Sequence, residues 1–283
     1  MKPHGDLPLH LDRTARLLGP EAMERLGRAH VVVLGLGGVG SFAAEALARA
    51  GVGRLTLVDG ERVDETNANR QIHALAGTIG REKAEVMAER LRAAAPGVEI
   101  EAVAEAYGPG SAERLVPAGA SFVVDAMDTV TAKLHAVARC LELGVPVVTV
   151  VGAARRIDPT AIQVTDLSET HTDQLAKDVR KYLRRRHGLA SSAPLGVLAV
   201  WSVEEPRRSF ALPGDEHGIP GARRREPGER RREPKVFGSA AFATGAFGLA
   251  AAAAVVQRIG GIAPVRKDAP SAKELARRRK PGR

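Results

Sequence analysis

Cysteine is almost absent from this chain, with one residue, Cys140, among 283. That excludes an internal disulfide framework and a four-thiolate zinc centre; no zinc is expected, and a reducing compartment is indicated. Aromatic residues are scarce as well, at 3%. A core must therefore be filled by Ala, Val, Leu and Ile, and a hydrophobic content of 44% suits a buried parallel sheet covered by helices. The opening stretch MKPHGDLPLHLDR holds no uninterrupted apolar run, which favours a cytoplasmic protein. Acidic residues are the minority charge, 33 against 42 basic, leaving a net charge of +9. Such a surface attracts polyanions, nucleic acid first among them. Much of the excess lies in Arg223–Arg225, Arg230–Arg232 and Arg277–Lys280, beside Pro and Gly, a composition also typical of solvated tails.

What is present is a strong alternation. An amphipathic arm, Leu17 to Leu26, precedes a strand, His30 to Leu34, that runs into Gly35-Leu36-Gly37-Gly38-Val39-Gly40. A helix from Ser41 to Ala50, a stop at Gly51-Val52-Gly53 and a strand from Arg54 to Val58 ending on Asp59 complete a strand, turn, helix, strand unit. The pattern repeats through a helix at Arg81–Ala94, a strand at Val98–Val103, a helix near Ser111–Leu115, a strand at Ser121–Val124, a helix at Thr131–Leu143 and a strand at Val145–Val150. It predicts an α/β protein with a doubly wound, mostly parallel, Rossmann-like sheet. Beyond Asp158-Pro159-Thr160 follow a strand at Ile162–Thr165, a basic helix at Asp173–His187, an exposed Pro, Gly and Arg loop at Glu204–Pro234, and an apolar stretch at Val236–Ile262. The last is long enough to cross a membrane, but its Gly, Ala, Ser and Thr favour a helix packed on the sheet, so no membrane span is expected.

Glycines 35, 37 and 40 match the G-x-G-x-x-G turn, which lets a phosphate approach the backbone at a helix N-terminus. Asp59, closing the next strand, stands where an acid accepts hydrogen bonds from ribose hydroxyls. These features suit a nicotinamide or flavin enzyme as well as one that activates a nucleotide. The residues after Asp59 discriminate. Glu61, Asn67, Asn69, Arg70 and Gln71 crowd one polar loop, and Lys83 opens a helix. A triphosphate needs cations for the charge that builds during displacement, and Arg70 with Lys83 supply them. Asp125-Ala126-Met127-Asp128 ends a strand on the carboxyl edge of the sheet, where a carboxylate can hold magnesium against phosphate oxygens.

Together, Gly35 to Ser41, Asp59, Asn67-Ala68-Asn69-Arg70-Gln71, Lys83 and Asp125 to Asp128 resemble the adenylating domain shared by ubiquitin-activating-type enzymes and their bacterial relatives in thiamine and molybdopterin synthesis. Asn69 to Ala74, Lys83 to Arg90 and Asp158-Pro159-Thr160 resemble the tRNA threonylcarbamoyladenosine dehydratase branch of that superfamily. The resemblance implies ATP contacts from Gly38, Asp59, Asn67, Asn69, Arg70, Lys83 and Asp128, with magnesium on Asp128. It implies a homodimer in which Arg16 is presented to the neighbouring copy's ATP. Glu61 stands where relatives commonly carry aspartate, and Ala199 where many dehydratases carry a cysteine. The expected organisation is an arm at 1–29, an ATP-binding adenylation domain at 30–165, a C-terminal subdomain at 166–262 and a basic tail at 263–283.

The implied reaction is ATP-dependent cyclisation of threonylcarbamoyladenosine in tRNA. No enzyme thiol is needed for it, and Cys140 lies in an apolar helical pattern that reads as core. His73 and His135 are given no role, a surface or capping place being the plainer reading of His73. Lys177, Arg180, Arg184 and Arg185 on the basic helix are the expected tRNA contacts. Two alternatives stand beside this: an adenylyltransferase acting on the Gly-Gly tail of a sulfur-carrier protein, and a non-catalytic nucleotide-binding scaffold.

Overall fold

The structure, a computed structural model, describes residues 8–188, 193–210 and 237–263. The arginine loop at 223–232 and nearly all of the basic tail lie outside the described residues. Four runs rich in β-branched residues form β1 (His30–Leu34), β2 (Arg54–Val58), β4 (Phe122–Asp125) and β5 (Val147–Val150). They are buried on both faces, as central parallel strands must be. The strand β3 (Glu99–Val103) alternates charged and apolar residues and takes an edge, where one side meets water. With β6 (Ile162–Asp166) and β7 (Leu198–Ser202) the sheet has seven strands in the order β3-β2-β1-β4-β5-β7-β6. Only β6 runs antiparallel, against β7. The winding reverses between β1 and β4, and the carboxyl ends of these two neighbours open the crevice in which such sheets bind ligands.

Side chains from alternate strand positions divide the core. Val31 and Val33 pack with Leu47, Met87 and Phe247 beneath α3 (Gly40–Arg49), α4 (Lys83–Ala94) and α8 (Ala241–Gly260). Val32 and Leu34 pack with Leu115, Cys140 and Leu183 beneath α5 (Ala112–Leu115), α6 (Val130–Leu143) and α7 (Gln174–His187). The doubly wound α/β sheet is therefore the observed architecture.

Three details differ from the sequence reading. The arm is two helices, α1 (Asp12–Leu18) and α2 (Pro20–Arg28), because Gly19 turns the chain at φ 85° and Pro20 starts a new helix. The run after the basic helix is β7, inserted between β5 and β6 through parallel and antiparallel pairing. The division expected after residue 165 falls within β6, and β5 before it is a direct neighbour of β7 after it.

The helix α8 is long and apolar enough to cross a membrane, yet more than half of it is buried within the protein. Its glycines allow close packing on α3. A Cβ built on Gly248 would lie 2.3 Å from the Val39 carbonyl oxygen, and one on Gly245 would meet the Phe42 ring at 3.2 Å. Because backbone, not a movable side chain, opposes the first, Gly248→Ala should destabilise the protein by about 1–3 kcal/mol. Urea unfolding checks this, and an unchanged midpoint contradicts it.

Candidate functional site

The glycine turn joins β1 to α3 across the crevice. Gly35 takes φ 86°, donates its N–H to the Val58 carbonyl at 2.8 Å, and lies so close to the β4 loop that a Cβ would sit 3.0 Å from the Ala126 carbonyl oxygen. Gly40 presses on Gly35, where a Cβ would fall 1.8 Å from the carbonyl oxygen. Gly38 is flanked by Thr244 of α8 and by Arg70, whereas a Cβ on Gly37 would meet nothing within 4 Å. The turn is held from below and open above, the arrangement that backbone N–H groups need to meet a phosphate.

Asp59 braces this turn. Its Oδ2 accepts the Leu36 N–H at 2.7 Å and its Oδ1 the Glu61 N–H at 2.8 Å. Burial pushes its carboxyl above the ordinary range, although both backbone bonds act in the opposite direction. In the polar loop, Asn67 is buried and its Oδ1 accepts the Asp64 N–H at 3.1 Å, so its carbonyl closes a capping box. Asn69 Nδ2 donates to the Ser239 carbonyl at 2.9 Å, while its Oδ1 accepts from Arg70 Nη1 at 2.9 Å. Arg70 Nη1 also donates to the Thr66 carbonyl at 2.9 Å, and the aliphatic stem of Arg70 lies beside Gly38.

Lys83 is 3% exposed at the first position of α4, where the helix dipole disfavours a cation. Its ammonium meets Glu61 Oε2 at 2.5 Å. Glu61 itself is exposed and so free to turn toward solvent. Asp128 follows β4 as an exposed carboxylate, with no ion pair to it among the described residues. Arg16 lies elsewhere, on α1, its Nε donating to Asp12 at 2.9 Å. The arm packs where Leu11 and Met23 meet Gly51, at the end of α3 remote from the turn.

The sequence matches the ThiF family over residues 11–277. The chain belongs to the ThiF family. It is 44% identical to the Bacillus subtilis tRNA threonylcarbamoyladenosine dehydratase over 194 residues, 69% of this chain and 74% of that protein. To the Escherichia coli enzyme of the same name it is 46% identical over 193 residues, 68% of this chain and 72% of that one. The crystal structure of the E. coli tRNA N6-threonylcarbamoyladenosine dehydratase in complex with ATP superposes with a TM-score of 0.75 at 38% identity, covering 89% of this chain and 94% of that one.

This ThiF-family chain also holds features that sequence reading missed. Beneath the loop that carries Asp128, Lys133 and Asp125 form an ion pair at 2.7 Å with both side chains fully buried. Lys133 Nζ donates further to Thr149 Oγ1 at 3.2 Å and to the Val150 carbonyl at 3.0 Å, and Thr149 donates to Asp125 Oδ2 at 2.6 Å. Asp125 Oδ1 accepts the Met127 N–H at 3.2 Å. The available signal was a lone lysine on the buried face of α6, in line with Ala136, Val137 and Cys140.

Cys140 is buried and its thiol is pushed up to about 12 by desolvation, so it is not a thiolate at neutral pH. His73 is not at the surface as expected. It is 1% exposed and held near 4, by burial first and then by the Lys83 and Arg90 charges. His135 Nδ1 meets the Tyr107 hydroxyl at 3.0 Å.

On α7 the basic side chains divide into two sets. Lys177, Lys181 and Arg185 are exposed at i, i+4 and i+8, one stripe of a helix. Arg180 donates to the Thr170 carbonyl at 2.7 Å, Arg184 to the Ala193 carbonyl at 3.3 Å, and Arg186 to Glu142 at 2.6 Å. Of the four expected contacts, Lys177 and Arg185 therefore face water together with Lys181, while Arg180 and Arg184 are engaged within the protein.

Removing one member of a buried ion pair strands the other charge. Lys133→Met should therefore cost about 3–5 kcal/mol of stability, and the double variant Lys133→Met, Asp125→Leu should recover much of it. Denaturant unfolding measures both; equal stability of the single variant and the parent contradicts the expectation.

Proposed function

We propose that this chain dehydrates threonylcarbamoyladenosine in tRNA to its cyclic form at the expense of ATP, through an acyl-adenylate and without an enzyme thioester. One observation carries the reading. Gly38, Arg70 and Asn69 are in contact, Asp59 braces the same turn and is joined through Glu61 to Lys83, and Asp128 follows β4, in a chain that aligns with almost the whole of an ATP-bound dehydratase.

In the first step a threonyl carboxylate oxygen bonds to the α-phosphorus and the bond to the bridging oxygen breaks, releasing pyrophosphate. In the second, the ureido group bonds to the activated carbonyl carbon, the bond to AMP breaks, and the ureido proton passes to solvent. The backbone N–H groups of the turn, with Gly35, Gly37, Gly38 and Gly40 permitting close approach, cradle phosphate at the start of α3. Asp59 accepts from the ribose hydroxyls with the lone pairs its two backbone bonds leave unused. Arg70 and Lys83 offset charge as pyrophosphate departs, Lys83 exchanging Glu61 for phosphate oxygens. Asn67 contributes by holding the loop.

Magnesium suits the donors present: Asp128 is an exposed oxygen ligand without an ion pair among the described residues, and no group of three or more metal-binding side chains occurs among them. One carboxylate plus substrate phosphates is how this ion is commonly held. It would supply Lewis-acid neutralisation of the phosphate oxygens. The enzyme is read as a cytoplasmic homodimer with Arg16 serving the neighbouring copy. The placement of the arm at the far end of its own α3 supports this, as do Phe242 and Leu249, exposed on α8.

The test is mass spectrometry of nucleosides after tRNA carrying threonylcarbamoyladenosine is incubated with the protein, ATP and magnesium. Dehydration is expected in the parent, with losses of about 100-fold or more in Arg70→Ala and Asp128→Asn at unchanged thermal stability. Near-normal turnover in either variant contradicts the site, and ATP–pyrophosphate exchange that requires a Gly-Gly-tailed carrier protein instead contradicts the substrate.

The tRNA surface is read as the stripe Lys177, Lys181 and Arg185, contacting phosphates. The double reversal Lys181→Glu, Arg185→Glu should weaken tRNA binding and flatten the slope of log affinity against log salt by about 1 or more, with ATP affinity retained. Filter binding across a salt series measures it; an unaltered slope removes the stripe from the interface.

A further inference from the structure

Arg156 is 2% exposed and has no part in the reaction described above. Its Nε donates to the Gly152 carbonyl at 3.1 Å, and its Nη2 donates to the Thr172 carbonyl at 3.4 Å and lies 3.7 Å from Asp173 Oδ2. Among the described residues Nη1 has no partner. One ordinary hydrogen bond, two long contacts and an unpartnered Nη1 are an incomplete set for a buried guanidinium, even with the Asp173, Glu204 and Glu205 charges acting on it. The chain on either side is strained as well: Arg155 takes φ 63° and Thr172 φ 61°, where side-chain-bearing residues are disfavoured.

Two functional regions meet at this arginine. Gly152 follows β5 on the same sheet edge as the crevice. The Arg155 N–H donates to the Gly238 carbonyl at 2.9 Å, and the adjacent Ser239 carbonyl accepts from Asn69 of the phosphate loop. On the other side, Asp173 is the N-cap of α7, its Oδ1 accepting the Ala176 N–H at 2.8 Å. A Cβ on Gly152 would fall 1.8 Å from Asp173 Oδ2, so the cap of the basic helix is seated directly on the loop beside the crevice. Thr172 Oγ1 pins the same cap to β7 through the Ser202 carbonyl at 2.8 Å.

We propose that Arg156 is a positioning residue that fixes the basic stripe of α7 relative to the nucleotide crevice, so that RNA held on the stripe delivers its modified base to the bound nucleotide. The inference rests on the tRNA dehydratase reading above. Charge on the stripe supplies affinity, and Arg156 supplies register. Loss of Arg156 therefore damages turnover while leaving both substrates bound.

The experiment uses the full chain and the variants Arg156→Gln, Arg156→Lys, Asp173→Asn and the double Arg156→Gln, Asp173→Asn. Asparagine keeps the cap acceptor of α7 and removes the Asp173 charge, leaving Glu204 and Glu205 as the other carboxylates that act on Arg156. ATP affinity, tRNA affinity and kcat for dehydration are measured on each. Expected for Arg156→Gln is a fall in kcat of about 10-fold or more with both affinities within about 2-fold of the parent. Arg156→Lys should restore part of the rate, and the double variant should be no slower than the slower single. Unchanged kcat in Arg156→Gln overturns the proposal. So does loss of ATP affinity in step with kcat, which would make Arg156 a prop of the fold, and so do fully multiplicative single effects. A parent inert on the modified tRNA refutes the function itself; an active parent with unaffected variants refutes this inference alone.

Discussion

The catalytic edge depends on one ammonium group finding enough acceptors without water. Lys133 is fully buried, and a charge of that kind is tolerated only when its protons are satisfied. Asp125 at the end of β4, Thr149 in β5 and the Val150 carbonyl meet that need. Their bonds fix the spacing of two central strand ends and the start of α6. The intervening loop has little freedom left, because Met127 is drawn onto Asp125 as well. Ala126 of this loop is also the floor on which Gly35 rests. A charge on one face of the sheet thus sets the height of the glycine turn, whose helix covers the other face.

What the sequence made legible was local. The glycine turn, Asp59 and the cluster from Asn67 to Lys83 could be read because spacing along the chain fixes their place at the end of a strand or start of a helix. The strands β1, β2, β4 and β5 announced themselves as apolar runs between helical periods. By contrast β7 is short, follows Gly196 and resembles loop until its partners on both sides are known. Lys133 and Arg156 were hidden for the same physical reason, since the acceptors that justify burying them lie in other elements. Asn67 shows the converse: a residue of the expected type in the expected place uses its carbonyl to cap its own turn. On α7 the sequence displayed the charge, but only packing separates Lys181, which faces water, from Arg180, which holds Thr170.

Burial shapes two further side chains in different ways. Lys83 is seated at a helix start against Glu61, and that partner is 76% exposed. The pairing is therefore strong enough to seat the lysine, and weak enough to yield to a more highly charged ligand. Cys140 is held as a neutral thiol in the core, so α6 offers no ready thiolate nucleophile there.

The wall that α8 places beside Gly38 has a consequence for biosynthesis. Gly38 and Arg70 are made early, but Thr244, which packs against Gly38, belongs to the last described helix. While the ribosome is still translating the middle of the gene, the nascent chain displays a glycine turn with one side missing. The outer surface of α3, including Phe42, stays uncovered until residues 241–260 have left the exit tunnel. The wall beside Gly38 is in this way completed only once α8 has been made, and products of synthesis interrupted before residue 241 lack it.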